Sequence, residues 1–196
     1  MMPLNDITAA KKTLRARALQ TRMALSTDDW AEACARIQDC FLDLFETADF
    51  PRIHLYSAML LRNEIDTETL AIRLLRAGKE IAVPVMSFES RTLTHFLVDE
   101  GTRWATNRWG VSEPLNGIPV NPDTFGLIVV PMVAADVHCN RLGYGKGYYD
   151  NFLKNTTALK VGLCMECCIF EQIPSEPHDV RLNHVITENR FLSATV

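Results

Sequence analysis

The sequence predicts an α/β sandwich built on a mostly parallel sheet, and three observations carry that reading. Segments with strand patterning alternate with segments of helical periodicity along the 196 residues. Phe125-Gly126-Leu127-Ile128-Val129-Val130-Pro131 is an apolar run of the kind buried on both faces of a parallel sheet. A glycine-rich loop, Gly143-Tyr144-Gly145-Lys146-Gly147, then separates that run from a further helix. Loops at the carboxyl ends of parallel strands are where such sheets bind ligands.

Taken in order, residues 4–22 read as a basic amphipathic helix. Ile7, Ala10, Leu14 and Ala18 share one face, and Lys11 and Arg15, four apart, point together from the other side. On charge pattern alone that pair is a solvated face. Ser26-Thr27-Asp28-Asp29 resembles a capping box and opens a second helix that runs to about Glu46. Arg52 to Tyr56 is a first strand. Thr67 to Ala77 is a helix with Thr67 as its N-cap and Gly78 as its stop. Glu80 to Pro84 is a short strand, and Thr92 to Val98 alternates as a half-exposed one. Residues 99–124, rich in Gly, Pro and Asn, read as a long loop with at most short pieces of structure. The buried strand covers 126–131. A helix follows the glycine loop from Tyr148 to Asn155, with Phe152 and Leu153 facing inward. Leu159 to Cys164 and His184 to Thr187 are the last strands. No repeat or linker divides the chain, so one domain over 1–196 is expected.

A hydrophobic content of 47% with 22% charged residues describes a soluble globular protein. A chain of this length buries a core without disulfides or structural metal. The net charge of −4 argues against a nucleic-acid surface and leaves room for a local basic site. Met1 to Asp6 lacks the basic and apolar regions of a signal peptide, and no apolar run approaches a membrane span. A cytoplasmic protein is the expectation, with no obligate protein partner evident. The six cysteines, Cys34, Cys40, Cys139, Cys164, Cys167 and Cys168, are expected to be free and mostly buried.

Two patterns carry chemistry. In the run from Arg141 to Asp150, glycines let backbone N–H groups approach an anion, and the helix start adds partial positive charge. The spacing is GxGxG, not the GxGxxG of dinucleotide folds, and no GxxxxGK[ST] occurs. The alternative is a turn packed closely under a helix. The second pattern, Cys164-x-x-Cys167-Cys168, has the form of a zinc half-site or a redox dithiol. Zinc needs two more ligands, and His138 and Cys139 lie far off in sequence. The apolar run before Cys164 also fits a plain buried strand end.

The run Asn140-Arg141-Leu142-Gly143-Tyr144-Gly145-Lys146-Gly147-Tyr148-Tyr149-Asp150 resembles the signature of the 5-formyltetrahydrofolate cyclo-ligase family. Other landmarks fall in that family's order: Lys11-Lys12-Thr13-Leu14-Arg15, Asn63-Glu64-Ile65-Asp66-Thr67, Trp109-Gly110-Val111 with Glu113-Pro114, Pro177-His178-Asp179, and Asn183-His184-Val185-Ile186. The resemblance spans nearly the whole chain. It implies a single-domain three-layer α/β/α sandwich and conversion of 5-formyltetrahydrofolate to 5,10-methenyltetrahydrofolate, with ATP as co-substrate and Mg²⁺.

The resemblance also implies roles. Lys11, Arg15 and the loop Arg141, Leu142, Gly143, Tyr144, Gly145, Lys146, Gly147, Tyr148 and Tyr149 would bind ATP. Arg141 and Lys146 would be catalytic, neutralising charge on the transferred phosphoryl group. The alternative for Arg141 is an ion pair that closes the loop. Asp150 and Asp179 would hold Mg²⁺; otherwise Asp150 is an acid in a helix's first turn and Asp179 a turn residue. Glu64 would hydrogen-bond the pterin, with Trp109 and Tyr148 lining that cleft; the alternatives are a loop acid and a core tryptophan. Arg62 and Arg108 are possible partners of the folate glutamate tail. The chain departs from the family pattern at Ala135, Cys139 and Cys167-Cys168, and in a longer spacing from Tyr56 to Glu64. These departures keep open a paralogue that binds nucleotide or folate without turnover.

Overall fold

The computed structural model describes residues 4–45, 48–50 and 52–194. Met1, Met2, Pro3 and the expected helix end at Glu46 lie outside the described residues. Helix α1 (Leu4–Met23) and helix α2 (Thr27–Phe45) open the chain. On α2, Ile37 and Phe41 are fully buried at helical spacing. On α1 the expected division of faces does not hold. Lys11 and Arg22 are buried beside Ala18, with Leu14 and Arg15 half-buried on the same side. At about 100° per residue, positions 7, 11, 18 and 22 fall within one arc of the helix, so the basic residues turn inward with the apolar ones.

Strand β1 (Arg52–His54) is shorter than expected and leads through a 3₁₀ turn, Leu60–Arg62, to helix α3 (Thr67–Arg76). The N-cap of α3 is Asp66, not Thr67. The Asp66 carboxylate accepts from the N–H groups of Glu68 and Thr69 at 3.0 Å each, while the Thr67 hydroxyl donates to the Tyr56 carbonyl at 2.5 Å. Strands β2 (Glu80–Ser87) and β3 (Thr92–Val98) form a long hairpin, with β2 running past its expected end at Pro84. Within 99–124 stand β4 (Trp104–Thr106), β5 (Ser112–Pro114), β6 (Ile118–Pro119) and a 3₁₀ turn, Pro122–Thr124.

The apolar run forms β7 (Leu127–Val130), every residue of which is buried. Beyond it come β8 (Ala134–Asp136), β9 (Arg141–Leu142), helix α4 (Tyr148–Leu153) and β10 (Leu159–Leu163). A 3₁₀ turn, Glu166–Cys168, then precedes β11 (Ile169–Phe170), β12 (His184–Ile186) and β13 (Phe191–Ser193).

The main sheet has the order β13-β12-β10-β7-β1-β2-β3-β6. Its centre, β12-β10-β7-β1-β2, is parallel, and the flanking pairs are antiparallel. Helix α4 covers the face that carries His54 and His95, with Phe152 packed 5.3 Å and 4.5 Å from their rings. Alternation sends Ile53, Ile81 and Val83 to the opposite face. Helices α2 and α3 are tied together by Arg73–Asp39 at 2.7 Å and by the Gln38 amide on the Asp66 carbonyl at 2.8 Å. The result is a three-layer α/β/α sandwich. β8, β9 and β11 make a small separate sheet that sets the approach of the glycine loop. No helix among the described residues is long and apolar enough to cross a membrane.

Candidate active site

The inward face of α1 delivers three cations to the carboxyl end of the parallel strands. Lys11 Nζ contacts Glu176 Oε2 at 2.7 Å and also pairs with Asp179. Arg15 Nε donates to the Gly143 carbonyl at 2.8 Å, which joins α1 directly to the glycine loop. Arg22, which carries no role in the sequence reading, is 4% exposed. Its guanidinium donates to the Arg62 carbonyl (2.9 Å), the Met132 carbonyl (3.2 Å) and the Tyr144 hydroxyl (2.8 Å). Its signal was present in the sequence: Lys11, Arg15 and Arg22 follow a helical spacing on one face.

Tyr144 passes this chain of bonds to Glu64. Its hydroxyl donates to Glu64 Oε1 at 2.6 Å, and the Met59 N–H donates to Oε2 at 2.6 Å. Glu64 is 2% exposed, so burial raises its pKa above the ordinary carboxylate value. The Met59 N–H, the Tyr144 hydroxyl, Arg22 and Arg62 pull the other way. Burial, then Glu64, raises the Tyr144 phenol, which keeps it a donor. Each Glu64 oxygen retains a second lone pair for a ligand's N–H groups.

The glycine loop needs glycine at Gly145 and Gly147, which have φ of +78° and +76°. A side chain at Gly145 would also press on the Arg15 guanidinium, 3.3 Å from the place its Cβ would occupy. Gly147 is the N-cap of α4. That helix is only six residues long, so few aligned peptide dipoles act on the loop. The positive charge near it comes mainly from side chains: Lys146, exposed at the cavity, with Arg15 and Arg141.

Arg141 is buried on β9 and ion-pairs with Asp150. The loop-closing ion pair is therefore present, yet Arg141 Nε is buried with no hydrogen-bond partner among the described residues. The buried Tyr149 hydroxyl is in the same condition. The Val180 N–H reaches Asp150 Oδ1 at 3.4 Å, so the segment that carries Asp179 packs against Asp150. Asp179 in turn accepts from the Glu176 N–H at 2.7 Å. Glu176, His178 and Asp179 bring one ligand atom each within 4.8 Å of one another; in the sequence reading His178 has a place only within the motif and Glu176 has none.

Part of this set lines one cavity of about 420 Å³, a size suited to a small-molecule ligand. Glu64, Arg141, Tyr144, Lys146, Tyr148, Tyr149, Asp150 and the three loop glycines all border it, as do Arg62, Arg108 and Trp109. Leu142, buried on β9, does not, and neither do Lys11, Arg15 and Asp179. Trp109 stands at the rim, 40% exposed, with its ring 4.3 Å from Phe88 and 6.4 Å from Tyr148, so it is not a core residue. The Tyr148 hydroxyl donates to the Ser87 carbonyl at 3.2 Å and anchors that wall to the end of β2.

The departures at Ala135, Cys139 and Cys167-Cys168 lie outside this cavity, whereas the lengthened Tyr56-to-Glu64 segment borders it. Ala135 and Cys139 are fully buried around Asp136, whose carboxylate accepts from the N–H groups of His138, Asn140 and Ile173 at 2.9–3.0 Å. Cys139 has φ +65°, a turn conformation that glycine fills without strain. The cysteines are free; Cys34, Cys139, Cys164 and Cys168 are buried, Cys40 is half-buried and Cys167 is exposed. Among the described residues no cysteine belongs to a cluster with metal-binding geometry.

Comparison with known proteins points to one family. The model of the 5-formyltetrahydrofolate cyclo-ligase family matches residues 7–188. The 5-formyltetrahydrofolate cyclo-ligase of Escherichia coli is 33% identical over 133 residues, covering 65% of this chain and 73% of that protein. The probable 5-formyltetrahydrofolate cyclo-ligase of Schizosaccharomyces pombe is 31% identical over 149 residues, 67% of this chain and 72% of that one. The structure of Aquifex aeolicus 5,10-methenyltetrahydrofolate synthetase superposes with a TM-score of 0.83 at 29% identity, covering 95% of this chain and 93% of that one. The chain belongs to the 5-formyltetrahydrofolate cyclo-ligase family, a family of ligases.

Proposed function

We propose that this chain, as a single cytoplasmic domain, converts 5-formyltetrahydrofolate to 5,10-methenyltetrahydrofolate at the expense of ATP, releasing ADP and phosphate, with Mg²⁺ bound. The formyl oxygen is a poor leaving group. Transfer of the γ-phosphoryl group onto it makes a good one, and N10 then attacks the carbon as phosphate departs. Phosphoryl transfer asks the protein mainly for positioning and positive charge.

The observation that carries this reading is the convergence on one cavity of a glycine loop, Lys146, and a buried Arg141 with an unused N–H. A buried donor without a partner is costly. Here it borders the space into which a phosphate would fit. Lys146 and Arg141 would stabilise charge on the moving phosphoryl group. Lys11 and Arg15 would hold the remaining phosphates from α1. Across the cavity, Glu64, fixed through both oxygens, would accept from adjacent pterin N–H groups, with Trp109 and Tyr148 as walls.

Asp150 and Asp179 suit Mg²⁺ in donor type, since that ion takes hard carboxylate oxygens and keeps several waters. Glu176, beside Asp179 and sharing Lys11 with it, is a further donor of the same type. Held there, Mg²⁺ would screen the phosphate charge. Lys11 and Arg141, now paired with those carboxylates, would turn to the phosphates.

The test is near-ultraviolet absorbance of the conjugated methenyl product, with purified protein, 5-formyltetrahydrofolate and Mg²⁺. An ATP-dependent rise abolished by EDTA is the expected result. ATP and folate binding with no rise would overturn the proposal in favour of a non-catalytic paralogue.

A further inference from the structure

Cys167 and Cys168 take no part in the cavity. They sit in the 3₁₀ turn Glu166–Cys168 that lies under α1. Their sulfurs are 3.9 Å apart, and no other pair of thiols has a sulfur–sulfur contact of this kind among the described residues. The two surroundings differ sharply. Cys167 is exposed, whereas Cys168 is fully buried with its sulfur 3.5 Å from the Ala18 carbonyl of α1. A solvent-accessible thiol thus stands beside a second thiol that packing holds in place. That is the arrangement of a reactive cysteine with its resolving partner.

Local charge agrees. The Cys168 S–H hydrogen-bonds to the Cys167 sulfur and lowers the Cys167 pKa, with Arg22 acting in the same sense. Desolvation and Glu188 act against them, and the net direction is down. The thiolate is the nucleophilic form. Cys34, Cys139 and Cys164 are buried with raised pKa values and lack both access and activation.

We propose that Cys167 and Cys168 form a reversible oxidation site for hydroperoxides, with Cys167 as the attacking thiol and Cys168 as the resolving one. The Cys167 sulfur attacks a peroxide oxygen. The S–O bond forms, the O–O bond breaks, and the peroxide leaves as water or alcohol after taking up a proton. Cys167 is then a sulfenic acid. The Cys168 sulfur attacks it, the S–S bond forms and the S–O bond breaks. Hydroxide leaves and takes the Cys168 proton as water. Neighbouring α-carbons stand about 3.8 Å apart, short of the usual disulfide span of about 4.4–6.8 Å. The ring is therefore strained and readily reopened by a dithiol.

The test is peptide mapping by mass spectrometry after limiting hydrogen peroxide, which does not depend on any catalytic reading of the cavity. The wild-type protein is expected to lose two hydrogens in the peptide that spans Cys167 and Cys168, and to regain them with dithiothreitol. C168S and C168A should instead carry a sulfenic acid on Cys167 that dimedone traps. C167S, altered only at an exposed side chain, should show neither product. Peroxide reacting first at half-buried Cys40, or dimedone labelling Cys167 as fully in the wild type as in C168A, would overturn the proposal.

Discussion

Arg141 and Asp150 show how a residue's structural and chemical duties can collide. Asp150→Ala removes the partner of a buried guanidinium, so a loss of about 3 kcal/mol is expected in urea denaturation. Asp150→Asn keeps a contact for Arg141 while removing the charge needed for a metal, and is the cleaner test of catalysis. Lys146 is exposed, so Lys146→Ala should leave stability within about 0.5 kcal/mol of wild type. Its turnover should nonetheless fall by ~10²–10³. Near-normal turnover in Lys146→Ala would remove its catalytic assignment. Tyr144→Phe leaves Glu64 and Arg22 each short of a partner in a buried network. A cost of about 1–3 kcal/mol is expected, with weaker folate binding measured by titration. The sequence identified Glu64 and Tyr144 separately; their hydrogen bond spans 80 positions and has no local signature.

At the scale of elements, local chemistry placed most helices and strands within a few residues. The errors have identifiable causes. Asp66 and Thr67 are both good caps, and the tertiary bond from Thr67 to Tyr56 decides which one serves. Asp66→Ala should therefore cost about 1 kcal/mol, read as a lower melting temperature, whereas the same change would cost little if Thr67 were the cap. Strand β2 continues past Pro84 because the β3 partner strand extends to Thr92, opposite Ser87. The strands β8, β9 and β11 are two or three residues long, too short for periodicity to register. On charge pattern alone Lys11 and Arg15 make a solvated face, yet Lys11 and Arg22 are buried and Arg15 is half-buried. They are tolerated only because Glu176, Asp179 and several carbonyls receive them.

For the whole molecule, the core beneath α4 predicts acid lability. His54 and His95 lie 5.0 Å apart among Phe125, Tyr149 and Phe152. Neither nitrogen of His54, nor Nδ1 of His95, has a hydrogen-bond partner among the described residues. Burial lowers both pKa values, that of His95 from 6.5 to about 4. Above pH 6.5 both rings are neutral whether the chain is folded or not, and stability is at its fullest. As the pH falls, the unfolded chain takes up the protons first, so stability declines down to about pH 4, where folded His95 is protonated too. His95 alone should cost about 3 kcal/mol across that window, and His54 extends the loss to lower pH. Urea denaturation at a series of pH values should show this slope, and His95→Phe should flatten it. An unchanged slope in that variant would refute the assignment.

The sequence by itself determined the α/β class, the buried central strand, the glycine loop and the family, because these rest on periodicity, composition and contiguous motifs. It also named the charged residues and the glycines that border the cavity, but not the apolar wall of Met59, Pro84, Met86, Leu93 and Pro131. Only the tertiary structure decided the strand order, the inward turn of Lys11, Arg15 and Arg22, and the pairing of Lys11 with Glu176 and Asp179. It alone decided, too, that Arg22, Tyr144 and Glu64 form one bonded chain. Those facts depend on contacts between residues tens to more than a hundred positions apart. Such contacts arise when the sheet closes, and no local pattern encodes them.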